Sequence, residues 1–216
     1  MGELINDPFR AARLVLHLRR QGVTDHGVLN VIERVRRGDF VDTVHSDLGD
    51  EDCVLPLPCG QTQPRPSEIA TVLQAMDLEP GASVRVLLIG EDSGYTAALL
   101  SALGHSVYVV TRYRTLLQHM ETCFAQSDVS NVRVHHGDAV QGWPASAPFD
   151  RIAVMGGLET LERDLTDQLS PQGIGVAILG AADHQYLTKF NREGVSGAQI
   201  AAIKAAQIRP GASSVL

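Results

Sequence analysis

Between residues 84 and 179 the chain alternates short apolar runs with amphipathic stretches, and this alternation restricts the fold more than any other feature. Runs at 84–90, 106–111, 131–136, 150–155 and 174–179 have the length and composition of strands, while 94–103, 114–126 and 159–169 have the spacing of helices. Strands separated by helices of this length pair in parallel, because a parallel neighbour is reached only through a long crossover. Helices then cover both faces of the sheet, so its central strands must be apolar on both sides. The stretches 84–89 (Val-Arg-Val-Leu-Leu-Ile) and 174–179 (Ile-Gly-Val-Ala-Ile-Leu) come close to that condition. The expected fold is α/β: a doubly wound, mainly parallel sheet, with the segment 90–94 turning from the carboxyl end of a central strand into a helix.

Ahead of the sheet, Leu14 and Leu18 within 8–21, and Val28, Leu29, Ile32 and Val35 within 25–36, predict two helices that each offer one face to a core. A third helix follows Pro66, with Ser67 as its cap and Ile69, Val72, Leu73 and Met76 along one stripe. Pro80 and Gly81 break the chain before the first strand. From Asp39 to Pro66 no period survives; Asp, Gly, Pro and Cys dominate, and a structureless connection of that length marks a place of substrate contact. The residues from 194 onward are the least readable. A length of 216 residues suits one domain, divided into a helical part with a substrate loop (1–77), a sheet (78–193) and a divergent tail (194–216).

No apolar run approaches the roughly 20 residues of a membrane-spanning helix, and residues 1–7 are too acidic for a secretory signal. The formal charge of −7 speaks against phosphate-driven nucleic-acid binding, and Arg34, Arg36 and Arg37 read as a solvated helix end. Cys53, Cys59 and Cys123 form no CxxC pair and the histidines supply no HxH or HxxxH pair, so neither a disulfide framework nor a metal centre is expected. A reducing cytoplasm is the expected home. Nothing in the pattern specifies an oligomeric state.

Gly90, Glu91, Asp92, Ser93 and Gly94 stand where ligands meet an open parallel sheet. Glycine permits the turn and a close approach of the backbone, and the helix N-terminus offers N–H groups to an anionic group such as a carboxylate. A tight strand-to-helix turn needs glycine in any case, so spacing alone leaves both readings open.

Together with the segments 55–66, 107–112, 136–143, 147–152 and 167–173, which follow in order, this turn resembles the protein-L-isoaspartate O-methyltransferases, and the likeness runs from about residue 9 to about residue 192. The resemblance implies a methyltransferase-type sheet with an N-terminal helical extension and S-adenosylmethionine as cofactor. It also implies methyl transfer to the α-carboxylate of an isoaspartyl residue in a damaged protein or peptide. By the same resemblance Gly90, Asp92, Gly94, Thr111 and Asp138 bind the cofactor, with Thr111 in the place of the acid that accepts the ribose hydroxyls and Asp138 beside the adenine. Gln61 and Thr62 fall to the acceptor.

Four positions depart from the family pattern. Asp92 replaces a glycine and brings bulk and charge toward the methionyl part of the cofactor. Thr111 replaces the ribose-binding acid, and a lost charge-assisted hydrogen bond costs about 1.5–3 kcal/mol. Gln63 and Pro64 replace an apolar residue and a serine of the substrate loop; proline carries no donor, which leaves Thr62 and Gln61 as the nearest hydroxyl and amide. These departures keep two alternatives beside the family's own activity: a binding or regulatory protein that retains only the fold, and a methyltransferase with a different acceptor. A carboxylate with a pKa of about 4 is already ionised at neutral pH, so the transfer asks for alignment and exclusion of water rather than for a base.

Overall fold

The computed structural model describes residues 9–79, 81–208 and 211. The expectations for residues 1–8, for Pro80 and for 209–210 and 212–216 lie outside them.

Helix α1 (Arg10–Arg20) buries Leu14 and Leu18, and α2 (His26–Arg34) buries Val28, Leu29, Val31 and Ile32. The Asp25 carboxylate caps α2 by accepting from the Val28 N–H at 3.0 Å. The connection that follows is ordered rather than structureless. Two 3-10 turns, Arg37–Phe40 and Thr43–Leu48, lead into an antiparallel hairpin of β1 (Leu55–Pro56) and β2 (Thr62–Gln63). Its organiser is Arg37, which the sequence places on a solvated helix end. Arg34 and Arg36 are indeed exposed, but Arg37 is only 2% exposed. Its guanidinium donates to the carbonyls of Glu51 (3.2 Å), Cys53 (2.8 Å) and Pro64 (2.9 Å), clamping the hairpin on both sides. A segment without a period of its own keeps its shape in this way, because buried carbonyls must find donors. Helix α3 (Pro66–Ala75) is not capped by Ser67. Arg65 holds the cap position, its N–H 3.1 Å from a Glu68 carboxylate oxygen, and Pro66 fits the first helical residue because its φ is already helical.

The expected alternation follows: β3 (Arg85–Ile89), α4 (Tyr95–Ala102), β4 (Ser106–Thr111), α5 (Arg114–Gln126), β5 (Val132–His136) and β6 (Phe149–Leu158). Then α6 (Arg163–Thr166), β7 (Leu169–Leu179), β8 (Tyr186–Asn191) and β9 (Gly194–Ala202) complete a sheet of order β5-β4-β3-β6-β7-β8-β9. The first five strands in that order pair in parallel, and β8 and β9 are added antiparallel. The chain runs outward from β3 to β5, returns to β6 and continues the other way. Right-handed crossovers running in opposite directions cover opposite faces. Helices α4 and α5 therefore pack with α1–α3 on Val86, Leu88, Val107 and Val109. The other face, with Leu87, Ile89, Val110 and Ile152, lies under Leu165 of α6 and the turn residues Ala139 and Trp143.

Two further expectations are corrected. Residues 159–169 do not form one helix, because β6 runs on to Leu158 and β7 begins at Leu169, leaving room only for the short α6. Leu158, Leu161 and Leu165 imitate helical spacing, but Leu158 belongs to the strand. The tail from 194 begins as β9, a sheet-edge strand exposed along most of its length, so it lacks the alternation that burial of one face imposes.

If Arg37 clamps the hairpin, Arg37→Ala leaves buried carbonyls without a donor and should destabilise the fold by on the order of 3 kcal/mol. Urea unfolding reads this as a lower midpoint, and an unchanged midpoint contradicts the clamp.

Candidate functional site

The turn between β3 and α4 opens into a cavity of about 500 Å³ at the carboxyl ends of the parallel strands. Gly90 and Asp92 form part of one wall, Val110 and Arg112 lie at the end of β4, and Gln61, Thr62 and Pro64 come from the hairpin. The remaining side is closed by 203–208. There the Gly157 N–H donates to the Ala206 carbonyl and the Ile208 N–H to the Gly157 carbonyl, both at 2.9 Å, so the chain after β9 runs alongside the end of β6. Gly90 has φ +76°, and a Cβ on it would lie 2.8 Å from the Gly156 nitrogen; no side chain fits. Gly94, at φ +88°, starts α4, and a Cβ there would press on the Phe124 ring at 3.0 Å. Both the left-handed φ and the packing against α5 call for glycine there.

Glu91, to which the sequence assigns no role of its own, governs the loop. Its carboxylate is fully buried and accepts from the Ser93 N–H (2.9 Å), the Thr96 N–H (3.3 Å) and the Ser93 hydroxyl. The Ser93 oxygen in turn accepts from the Tyr95 N–H and from the Gln63 amide, each at 3.0 Å. The N–H groups of Tyr95 and Thr96 at the start of α4, expected to face an anionic ligand, are thus bound to the protein's own Ser93 and Glu91. A buried acid just after a strand is the signal that was available. Despite these donors, burial pushes the Glu91 carboxyl up to about 7.

Asp92 and Thr111, which the sequence treats as two separate departures, are neighbours. Burial raises the Asp92 carboxyl to about 6, against the opposite pull of nearby Thr111 and Arg112. Thr111 is fully buried, whereas Asp92 reaches the cavity wall. Asp138 caps the 3-10 turn Ala139–Gln141, accepting from the Val140 N–H at 3.0 Å, and its neighbour Ala139 lines the cavity. Gln61 points its amide nitrogen at the Tyr113 hydroxyl, 3.3 Å away, while Thr62 is exposed at the cavity rim. Arg65 is exposed.

A raised carboxyl pKa carries a sign for stability. As pH climbs from 4.5 to about 7, the unfolded chain gives up the Glu91 proton before the folded chain does, so the contribution of Glu91 falls across that window. Asp92 adds to the fall between 3.8 and about 6. Glu91→Gln removes the larger part, so its melting temperature should decline less than the parent's between pH 5 and pH 7. Parallel profiles for the two proteins contradict this account of Glu91.

A family model described as protein-L-isoaspartate(D-aspartate) O-methyltransferase matches residues 10–208. A protein-L-isoaspartate O-methyltransferase of Caulobacter sp. (strain K31) is 41% identical over 184 residues, covering 85% of this chain and 84% of that protein. Its counterpart in Parvibaculum lavamentivorans is 40% identical over 184 residues, with 84% and 82% covered. Among solved structures, a protein-L-isoaspartate O-methyltransferase superposes with a TM-score of 0.78 at 23% identity, covering 91% of this chain and 65% of that longer one. A Plasmodium falciparum protein described as a beta-aspartate methyltransferase in complex with S-adenosyl-L-homocysteine gives 0.77 at 19% identity, with 91% and 97% covered. These superpositions bear on the fold, which is that of the S-adenosylmethionine-dependent methyltransferases. The match over nearly the whole chain, with relatives at two-fifths identity, has one consequence: this chain belongs to the protein-L-isoaspartate O-methyltransferase family.

Proposed function

We propose that the chain transfers a methyl group from S-adenosylmethionine to the α-carboxylate of isoaspartyl residues in damaged proteins or peptides. The observation that carries this reading is that a single cavity is walled both by the β3–α4 turn and by the β1–β2 hairpin. A cofactor held by the first and an acceptor held by the second then meet in one sheltered space. The residues present suit the cofactor. The cavity has the volume of a small-molecule site, Gly90 brings bare backbone close, Asp92 offers a carboxylate to hydroxyl groups, and Arg112 and Lys204 offer cations to a ligand carboxylate.

When bound, S-adenosylmethionine supplies the methyl group on a sulfonium. Everything else asked of the chain is position. We assign Gln61 and Thr62 as donors to the acceptor carboxylate, since the hairpin presents both to the cavity. Pro64 gives its carbonyl to Arg37 and has no donor to give the acceptor. An acceptor carboxylate is ionised at neutral pH, so no side chain has to take a proton from it. Among the described residues no cluster of His, Cys, Asp and Glu is arranged to hold a metal, and no helix is long and apolar enough to cross a membrane. Cys53, Cys59 and Cys123 are unpaired, which suits the reducing cytoplasm we infer for it.

Purified protein given methyl-labelled S-adenosylmethionine should esterify an isoaspartyl peptide and leave the matching aspartyl peptide unlabelled. Thr62→Val and Gln61→Ala should each lower kcat/KM by about tenfold, the worth of one oriented neutral hydrogen bond. Pro64→Ser, which adds a hydroxyl on the same loop, should raise it. Label on neither peptide, or on both equally, rejects the isoaspartyl assignment.

A further inference from the structure

We propose that Gln63 is a positioning residue for the acceptor side of the cavity: by donating to Ser93 it turns Thr62 toward the ligand space and holds it against the β3–α4 turn. This rests on the assignment of Thr62 to the acceptor above and names what aims that hydroxyl.

The Ser93 hydroxyl is the joint. A serine hydroxyl has one proton to give and two lone pairs to fill. The proton goes to the Glu91 carboxylate, and the lone pairs accept the Tyr95 N–H and the Gln63 amide N–H, each at 3.0 Å. With its proton already given, that oxygen meets Gln63 only as an acceptor, so the glutamine must donate. Gln63 is fully buried and pairs with Leu55 across the hairpin. Gly60, Gln61, Thr62 and Pro64 line the cavity, and Gln63 between them does not. Successive side chains of a strand point to opposite sides. With Gln63 drawn inward onto Ser93, Thr62 is turned outward, and it stands exposed at the cavity wall. On the far side of Gln63, Arg37 holds the Pro64 carbonyl at 2.9 Å, so the segment cannot slip along the turn.

Stability alone does not call for glutamine here. Its Oε1 is buried with no hydrogen-bond partner among the described residues, and an unpaired amide oxygen is costly to bury. A leucine of similar size avoids that cost. What the amide adds is one directed bond, and the other end of that bond is a turn whose N–H groups Glu91 has already gathered. The aim of Thr62 is therefore set from the β3–α4 turn, by a side chain that itself touches no ligand space.

Gln63→Leu and Gln63→Met keep the bulk of the side chain and remove the donor; each should melt no lower than the parent. At saturating cofactor, the kcat/KM of either variant for an isoaspartyl peptide should fall by about tenfold, the worth of one oriented neutral hydrogen bond, while S-adenosylhomocysteine affinity by calorimetry stays within about twofold. Because Gln63 acts through Thr62, the loss should shrink in the Thr62→Val background, where no hydroxyl is left to aim. Amide hydrogen exchange of the unliganded full chain reads the positioning whatever the acceptor: 55–64 should exchange faster by about tenfold in Gln63→Leu, with the sheet unchanged. A full-sized loss in the Thr62→Val background, unchanged hairpin exchange, or a lower melting temperature with cofactor affinity weakened as much as turnover overturns the assignment and leaves Gln63 a packing residue. A parent that labels no isoaspartyl peptide, together with faster hairpin exchange in Gln63→Leu, keeps the positioning and rejects the isoaspartyl function.

Discussion

The buried carboxylate of Glu91 is the interaction on which the rest of the site depends. It gathers the N–H groups of Ser93 and Thr96 and the Ser93 hydroxyl, and so fixes the turn that the positive φ of Gly90 and Gly94 makes possible. Through the Ser93 oxygen the same network reaches Gln63 on the hairpin. The β3–α4 turn and the β1–β2 hairpin are therefore one hydrogen-bonded unit. Removing a charge from water is costly, and the converging donors offset only part of that cost, since burial still raises the carboxyl to about 7.

That unit is anchored at its other end by a cation. Arg37 holds the carbonyls on both sides of the hairpin, including that of Pro64, directly after Gln63. Glu91 and Arg37 together set the position of a hairpin whose own two-residue strands are too short to hold it. Asp92 takes no part in this network and lines the cavity instead. The N–H groups of Tyr95 and Thr96 are already occupied, and the cavity wall carries the charged side chains Asp92, Arg112 and Lys204.

The parallel sheet was legible because burial on both faces of a strand leaves a continuous apolar run, as in 84–89, and because helices of regular period separate such runs. Elements without that imprint were not. The edge strand β9 is mostly exposed, α6 is confined between two long strands, and the fixed shape of 37–65 comes from one arginine that sequence cannot distinguish from its solvated neighbours. Resemblance singles out Gly90, Asp92, Thr111, Gln61 and Thr62, of which Gly90, Asp92, Gln61 and Thr62 line one cavity, but pairing is a property of space. Nothing in the order of residues tells that Gln63 reaches Ser93, or that residues after β9 return to close the cavity.

The coupling of the two loops is tested most directly by amide hydrogen exchange of the full chain with and without S-adenosylhomocysteine. A ligand that touches the β3–α4 turn should slow exchange there and, through Ser93 and Gln63, in the hairpin at 55–64 as well, and Gln63→Leu should confine the protection to the turn. Protection of the turn with an unchanged hairpin in the parent protein contradicts the account.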